Sequence, residues 1–179
     1  MKLAIGGAQF GLDYGLSNEN KRTKLDELIK ILDFCLTEKI NVIDTAMAYG
    51  NSEKQLGLAG VKGFKVITKI PAGINKINID IYSYISSLIE KSFKDLNVTK
   101  IYGLLLHQSM DLMSKNGEII YKCLEDFKSQ DMISKIGISI YDPHELETLI
   151  PNFGIDIVQA PYNLIDRRIE DDQWIIKLE

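Results

Sequence analysis

Cysteine is scarce: Cys35 and Cys123 are the only two in 179 residues. They lie far apart, each inside an apolar periodic segment. That excludes a disulfide framework or a thiolate metal site and leaves two reduced core thiols in a cytoplasmic setting. Proline is equally sparse, with four residues, so no proline-rich linker divides the chain. Charge of one sign is missing too. Lys plus Arg total 21 against 25 for Asp plus Glu, a net charge of −4. Without a run of one sign to make a phosphate-binding stripe, nucleic acid is excluded as a partner. No apolar run is long enough to span a bilayer, which excludes a membrane role. The stretch from Met1 to Leu12 is broken by Gly6, Gly7 and Gly11 and lacks the continuous apolar core of a secretion signal.

What the sequence does contain is a soluble composition, 45% hydrophobic and 26% charged, enough for a single globular domain over residues 1–179. Short β-branched apolar runs alternate with longer stretches of helical period, the pattern of parallel strands joined by crossover helices. Six strands are expected: Leu3 to Gly6, Asn41 to Asp44, Lys65 to Ile70, Ile101 to His107, Lys135 to Ile140 and Ile155 to Ala160. The first helix is expected from Lys24 to Glu38, with Leu25, Leu28, Ile29, Leu32 and Leu36 on one stripe and Thr23 and Asp26 placed to cap it. Others open near Ser52, run from Asp80 to Leu96 and from Glu118 to Gln130, and start at Pro143. Residues Asp171 to Glu179 look like the beginning of one more.

Serial βα units fit an open doubly wound sheet or a closed eight-stranded (β/α) barrel of the TIM type. The doubly wound fold wants a glycine-rich turn and a helix start after the first strand. Gly6-Gly7-Ala8-Gln9-Phe10-Gly11 matches that poorly, with no helix start behind it. Polar placement favours the barrel, with about six of its eight βα units present and the barrel therefore incomplete. Strand two ends in Asp44, strand three reads Val66-Ile67-Thr68-Lys69, and strand four reads Leu104-Leu105-Leu106-His107. In a parallel barrel those C-terminal ends converge on one face. Tyr49 follows Asp44 by five positions.

The groups themselves suggest acid/base chemistry at a carbonyl. A lysine ammonium close to a phenol favours the phenolate and is expected to lower its pKa, while a carboxylate beside the lysine keeps the ammonium charged in an apolar barrel mouth. Tyr49, Lys69 and Asp44 can play these parts, with His107 donating a hydrogen bond to the reacting oxygen. None of the four can transfer a hydride, so a redox cofactor must do so, and nicotinamide is the expected source. Ser139 and Gln159, at the ends of strands five and six, are placed to hold its carboxamide.

Gly7-Ala8-Gln9-Phe10-Gly11-Leu12-Asp13-Tyr14-Gly15 and Ile43-Asp44-Thr45-Ala46-Met47-Ala48-Tyr49-Gly50-Asn51-Ser52-Glu53, with the lysine, histidine and Lys135-Ile136-Gly137-Ile138-Ser139 strands, resemble the aldo-keto reductase family. The resemblance covers nearly the whole chain and implies an NADPH-dependent barrel that reduces a small carbonyl substrate. It makes Asp44, Tyr49, Lys69 and His107 the catalytic tetrad, Tyr49 the proton donor, and Ser139 and Gln159 the nicotinamide contacts. Ile140 stands where many members have Asn. The family's seventh and eighth strands, which carry a stacking aromatic and a basic loop for the 2′-phosphate, have no counterpart here. A C-terminally truncated product is therefore expected to show little NADPH turnover and to self-associate through exposed barrel edges. Two alternatives stand beside a reductase: a binding or regulatory module that keeps the scaffold, and an aldolase-like barrel with Lys69 as Schiff-base lysine.

Overall fold

A computed structural model describes residues 3–15, 22–77 and 80–178. Six strands form one parallel sheet: β1 (Ile5–Gly6), β2 (Val42–Asp44), β3 (Lys65–Ile70), β4 (Ile101–Leu106), β5 (Ile133–Ser139) and β6 (Ile157–Gln159). Their spatial order is their sequence order. A doubly wound sheet would reverse direction at a switch point; here every crossover advances one strand, and the sheet curls into an incomplete (β/α) barrel. Among the described residues β1 and β6 each pair on one side only. All six strands fall where the apolar runs place them, though β1 and β6 are shorter and β5 starts two residues earlier than expected.

Seven helices pack around the sheet: α1 (Ala8–Gly11), α2 (Leu25–Thr37), α3 (Ser52–Ala59), α4 (Ile81–Leu96), α5 (Gly117–Ser129), α6 (Glu145–Leu149) and α7 (Trp174–Lys177). The stripe of α2 differs from the expected one. Leu28, Leu32 and Cys35 are buried, whereas Ile29 and Leu36 are 38% and 39% exposed. The steps of four and three from Leu28 keep one face on the sheet, and Ile29 and Leu36, one position on, rotate to its flank. Nor does a side chain cap this helix: Lys24 holds the N-cap, and Asp26 and Glu27 instead meet the dipole in the first turn. By contrast α4 has a side-chain cap, with Asp80 accepting from the amides of Tyr82 and Ser83.

Short 3-10 turns over Arg168–Gln173 precede α7, so the last helix begins three residues later than expected; Met1, Lys2 and Glu179, which entered the readings of the two ends, lie outside the described residues. Cys35 and Cys123 are buried free thiols. Among the described residues no helix is long and apolar enough to cross a membrane.

Candidate active site

The C-terminal edge of the sheet is where the ionisable side chains gather. Asp44 closes β2, Lys69 is next to last in β3, and His107 follows β4 with its amide bonded to the Ile70 carbonyl at 3.0 Å. Side chains alternate along β3, so its neighbours Thr68 and Lys69 serve opposite faces. Thr68 donates to Glu53 of α3 at 2.7 Å. Lys69, only 1% exposed, reaches into the barrel and gives one hydrogen bond to Asp44 Oδ1 at 2.7 Å and another to the Thr45 carbonyl at 2.9 Å. A buried ammonium needs such compensation.

Tyr49 comes from the turn after β2. That turn is pinned to β3 by the Thr45 and Met47 amides, which donate to the Ile67 and Lys69 carbonyls at 2.8 and 3.1 Å. The β1–α1 segment locks it from the other side. Ser52 Oγ donates to the Gly7 carbonyl at 2.8 Å and lies 2.9 Å from Thr45 Oγ1. At Gly11 the backbones approach so closely that a Cβ would stand 1.8 Å from the Tyr49 carbonyl oxygen. Thus the two N-terminal motifs are a single clasp that presents the phenol. Lys69 Nζ lies 5.1 Å from the centroid of the Tyr49 ring, and the His107 ring meets Tyr49 edge-on, centroids 5.9 Å apart at 81°.

The electrostatics depart from expectation at one residue. Burial pushes the Tyr49 phenol above its ordinary pKa, and the Asp44 carboxylate adds to the rise; the lysine does not lower it. The hydrogen bonds of Lys69 go to Asp44 and Thr45, and none goes to the phenol. For His107, burial lowers the pKa below the ordinary 6.5, the Lys69 ammonium lowers it further, and Asp44 opposes both.

A cavity of about 580 Å³ opens beside this cluster, with His107 and Ser139 in its wall. Ala48, next to Tyr49, also contributes, whereas Asp44, Tyr49, Lys69 and Gln159 are not wall residues. Its size falls in the range of small-ligand sites. Ser139 pairs in register with Gln159 on the adjacent strand, so a hydroxyl and an amide stand side by side at the strand ends, a donor and acceptor set that fits a carboxamide. Ile140 is 2% exposed and belongs to the apolar core, so that position offers a ligand nothing polar.

Two functional-looking acids escaped the sequence reading. Glu53 is 5% exposed and ties α3 to β3 and α4. Glu145 stands in the cavity wall; its D-x-x-E spacing from Asp142, a helix-start pattern, was the signal that could have found it. Among the described residues no group of three or more His, Cys, Asp or Glu side chains is placed to hold a metal ion.

Comparison with known proteins agrees with this fold. The model of the Aldo/keto reductase family matches residues 2–175. Solved structures with the same fold include an aldo-keto reductase from Pseudomonas aeruginosa, at 24% identity and TM-score 0.75, over 92% of this chain and 64% of that one. A Bacillus halodurans aldo-keto reductase in its holo form has 20% identity and TM-score 0.77, over 98% and 58%. One from Klebsiella pneumoniae, solved with NADP and acetate, has 18% identity and TM-score 0.74, over 98% and 60%. The chain thus spans about three-fifths of the length of these structures. No curated protein matches the chain.

Proposed function

The chain belongs to the aldo/keto reductase family, and from that premise we propose that it is an oxidoreductase that reduces an aldehyde or ketone, with Tyr49 as general acid. NADPH, when bound, supplies the hydride to the carbonyl carbon, with Ser139 and Gln159 holding its nicotinamide. Asp44 keeps the Lys69 ammonium charged inside the barrel. His107, whose lowered pKa keeps it neutral at pH 7, donates an N–H to the carbonyl oxygen and so favours charge developing there. Tyr49 then releases its proton to that oxygen. A raised phenol pKa keeps the donor protonated until an alkoxide, a far stronger base than a phenolate, forms beside it.

The observation that carries this proposal is the ion pair of buried Lys69 with partly buried Asp44, 2.7 Å long, set against a tyrosine ring that touches a histidine. It also argues against a Schiff-base role, because the ion pair and 1% exposure occupy the amine that such chemistry needs. The test is NADPH consumption with a simple aldehyde. Tyr49→Phe is expected to lower kcat by about a hundredfold or more; equal rates in both proteins would contradict the proposal. The absence of Tyr49 and Lys69 from the cavity wall favours one other function, a scaffold that binds nicotinamide without turning it over. A change in nicotinamide fluorescence with no consumption of NADPH would support that instead.

We also propose that the chain self-associates through β1 and β6, each paired on one side only among the described residues, since unpaired strand edges recruit other strands. Light scattering on a sizing column is expected to give a mass above 20.3 kDa, and a cooperatively melting monomer would contradict it.

A further inference from the structure

The charges around the cavity bear on which carbonyl compounds it admits, given the reductase function above. Ala48, Ala72 and Met110 make part of its wall apolar. Between them stand the neutral hydrogen-bonding groups of Gln108 and Ser139. Among the described residues Glu145 is the only carboxylate in the wall, and no lysine or arginine accompanies it. Its carboxylate cannot swing away. One oxygen accepts from the Tyr141 and Asp142 amides at 3.2 and 3.0 Å, and the other from the hydroxyl of Ser109, itself 1% exposed.

Two cations near the wall are already committed. Lys69 is held by Asp44. Arg168 touches the back of the wall by donating to the Tyr141 carbonyl at 3.0 Å, but its guanidinium is forked onto Asp166 at 2.9 and 2.8 Å and lies 4.0 Å from Asp142. Among the described residues of the wall an anionic substrate would therefore find a fixed negative charge and no free positive one.

We propose that this cavity selects uncharged carbonyl compounds and rejects those bearing a carboxylate or phosphate, and that Glu145 is the residue that sets the selection. A like charge held within several ångströms at a partly solvated site weakens binding on the order of tenfold or more. Glu145 acts from the wall, by repulsion, and takes no part in proton transfer.

The test compares benzaldehyde with 4-carboxybenzaldehyde by the proton NMR shift of His107. The chain has two histidines, so a His144→Gln variant assigns the signals. In the unaltered protein benzaldehyde is expected to bind about tenfold more tightly or better. Glu145→Gln keeps an acceptor oxygen for the two amides while removing the charge, and is expected to narrow the difference to about threefold or less. Met110→Lys, at a 42% exposed rim position, adds a cation and is expected to raise 4-carboxybenzaldehyde affinity by about tenfold, which keeps the test alive if the first variant unfolds. Equal or tighter binding of 4-carboxybenzaldehyde to the unaltered protein would overturn the proposal. So would an unchanged preference in every folded variant, or no response of His107 to either compound. Because binding is read without NADPH, a failure of catalysis leaves this outcome separately visible.

Discussion

A carboxylate enclosed by protein is costly unless its oxygens are satisfied. Glu53, 5% exposed, meets that requirement with two hydroxyls on one oxygen, from Thr68 and Ser92, both at 2.7 Å. Burial still wins: it pushes the Glu53 pKa above the ordinary 4.5 while the two hydroxyls pull it down. A carboxyl whose folded pKa exceeds its unfolded one contributes its full stability below the unfolded value and loses it as pH rises through the folded one. Glu53→Gln cannot ionise, so its stability relative to the wild type is expected to improve steadily between about pH 4 and pH 7. Glu53→Ala strands both hydroxyls next to Lys69's strand and is expected to cost on the order of 2–4 kcal/mol. Urea melts at both ends of that pH range check the two variants. A pH-independent gap between wild type and Glu53→Gln, or a near-neutral alanine variant, would count against this account of Glu53.

At the scale of elements, legibility in the sequence followed how locally each feature is determined. β3 is readable residue by residue because a strand buried on both faces must be apolar along its length, and Thr68 and Lys69 stand out against Val66, Ile67 and Ile70. Asp44, Lys69 and His107 were legible for the same reason: each interrupts an apolar run at its C-terminal end, and parallel strands bring those ends together. What the sequence hid depends on a partner elsewhere. The turn α1 looks unlike a helix start on its own, and it packs where Gly11 lies against the Tyr49 carbonyl with no room for a Cβ. The rotation of Ile29 and Leu36 off the buried face of α2 depends on how that helix is seated, which its period alone does not fix. Glu53 was visible within a motif but had no assigned task, because Thr68 and Ser92 become its neighbours only after β3 and α4 are in place. The phenol's raised pKa was missed in the same way: a sequence can put a lysine near a tyrosine, but only the fold tells that Asp44 and Thr45 claim the lysine's protons.

Taken whole, the molecule is a set of βα units added in order around a curled sheet, and that order explains why residues 44, 49, 69 and 107 meet although α3 and α4 separate the strands that carry them. Each successive strand moves its C-terminal side chain one place around the same rim. The cluster is therefore a property of the sheet, and its electrostatic coupling is the claim on which the enzymatic proposal depends. His107 reports that coupling directly, since its pKa feels burial, Lys69 and Asp44, and with two histidines in the chain its imidazole resonance is easily followed. The decisive measurement is an NMR pH titration of His107 in the wild type, Lys69→Met and Asp44→Asn proteins. A wild-type midpoint below 6.5, moving up when the ammonium is removed and further down when the carboxylate is neutralised, is the predicted result; one common midpoint in all three would contradict it.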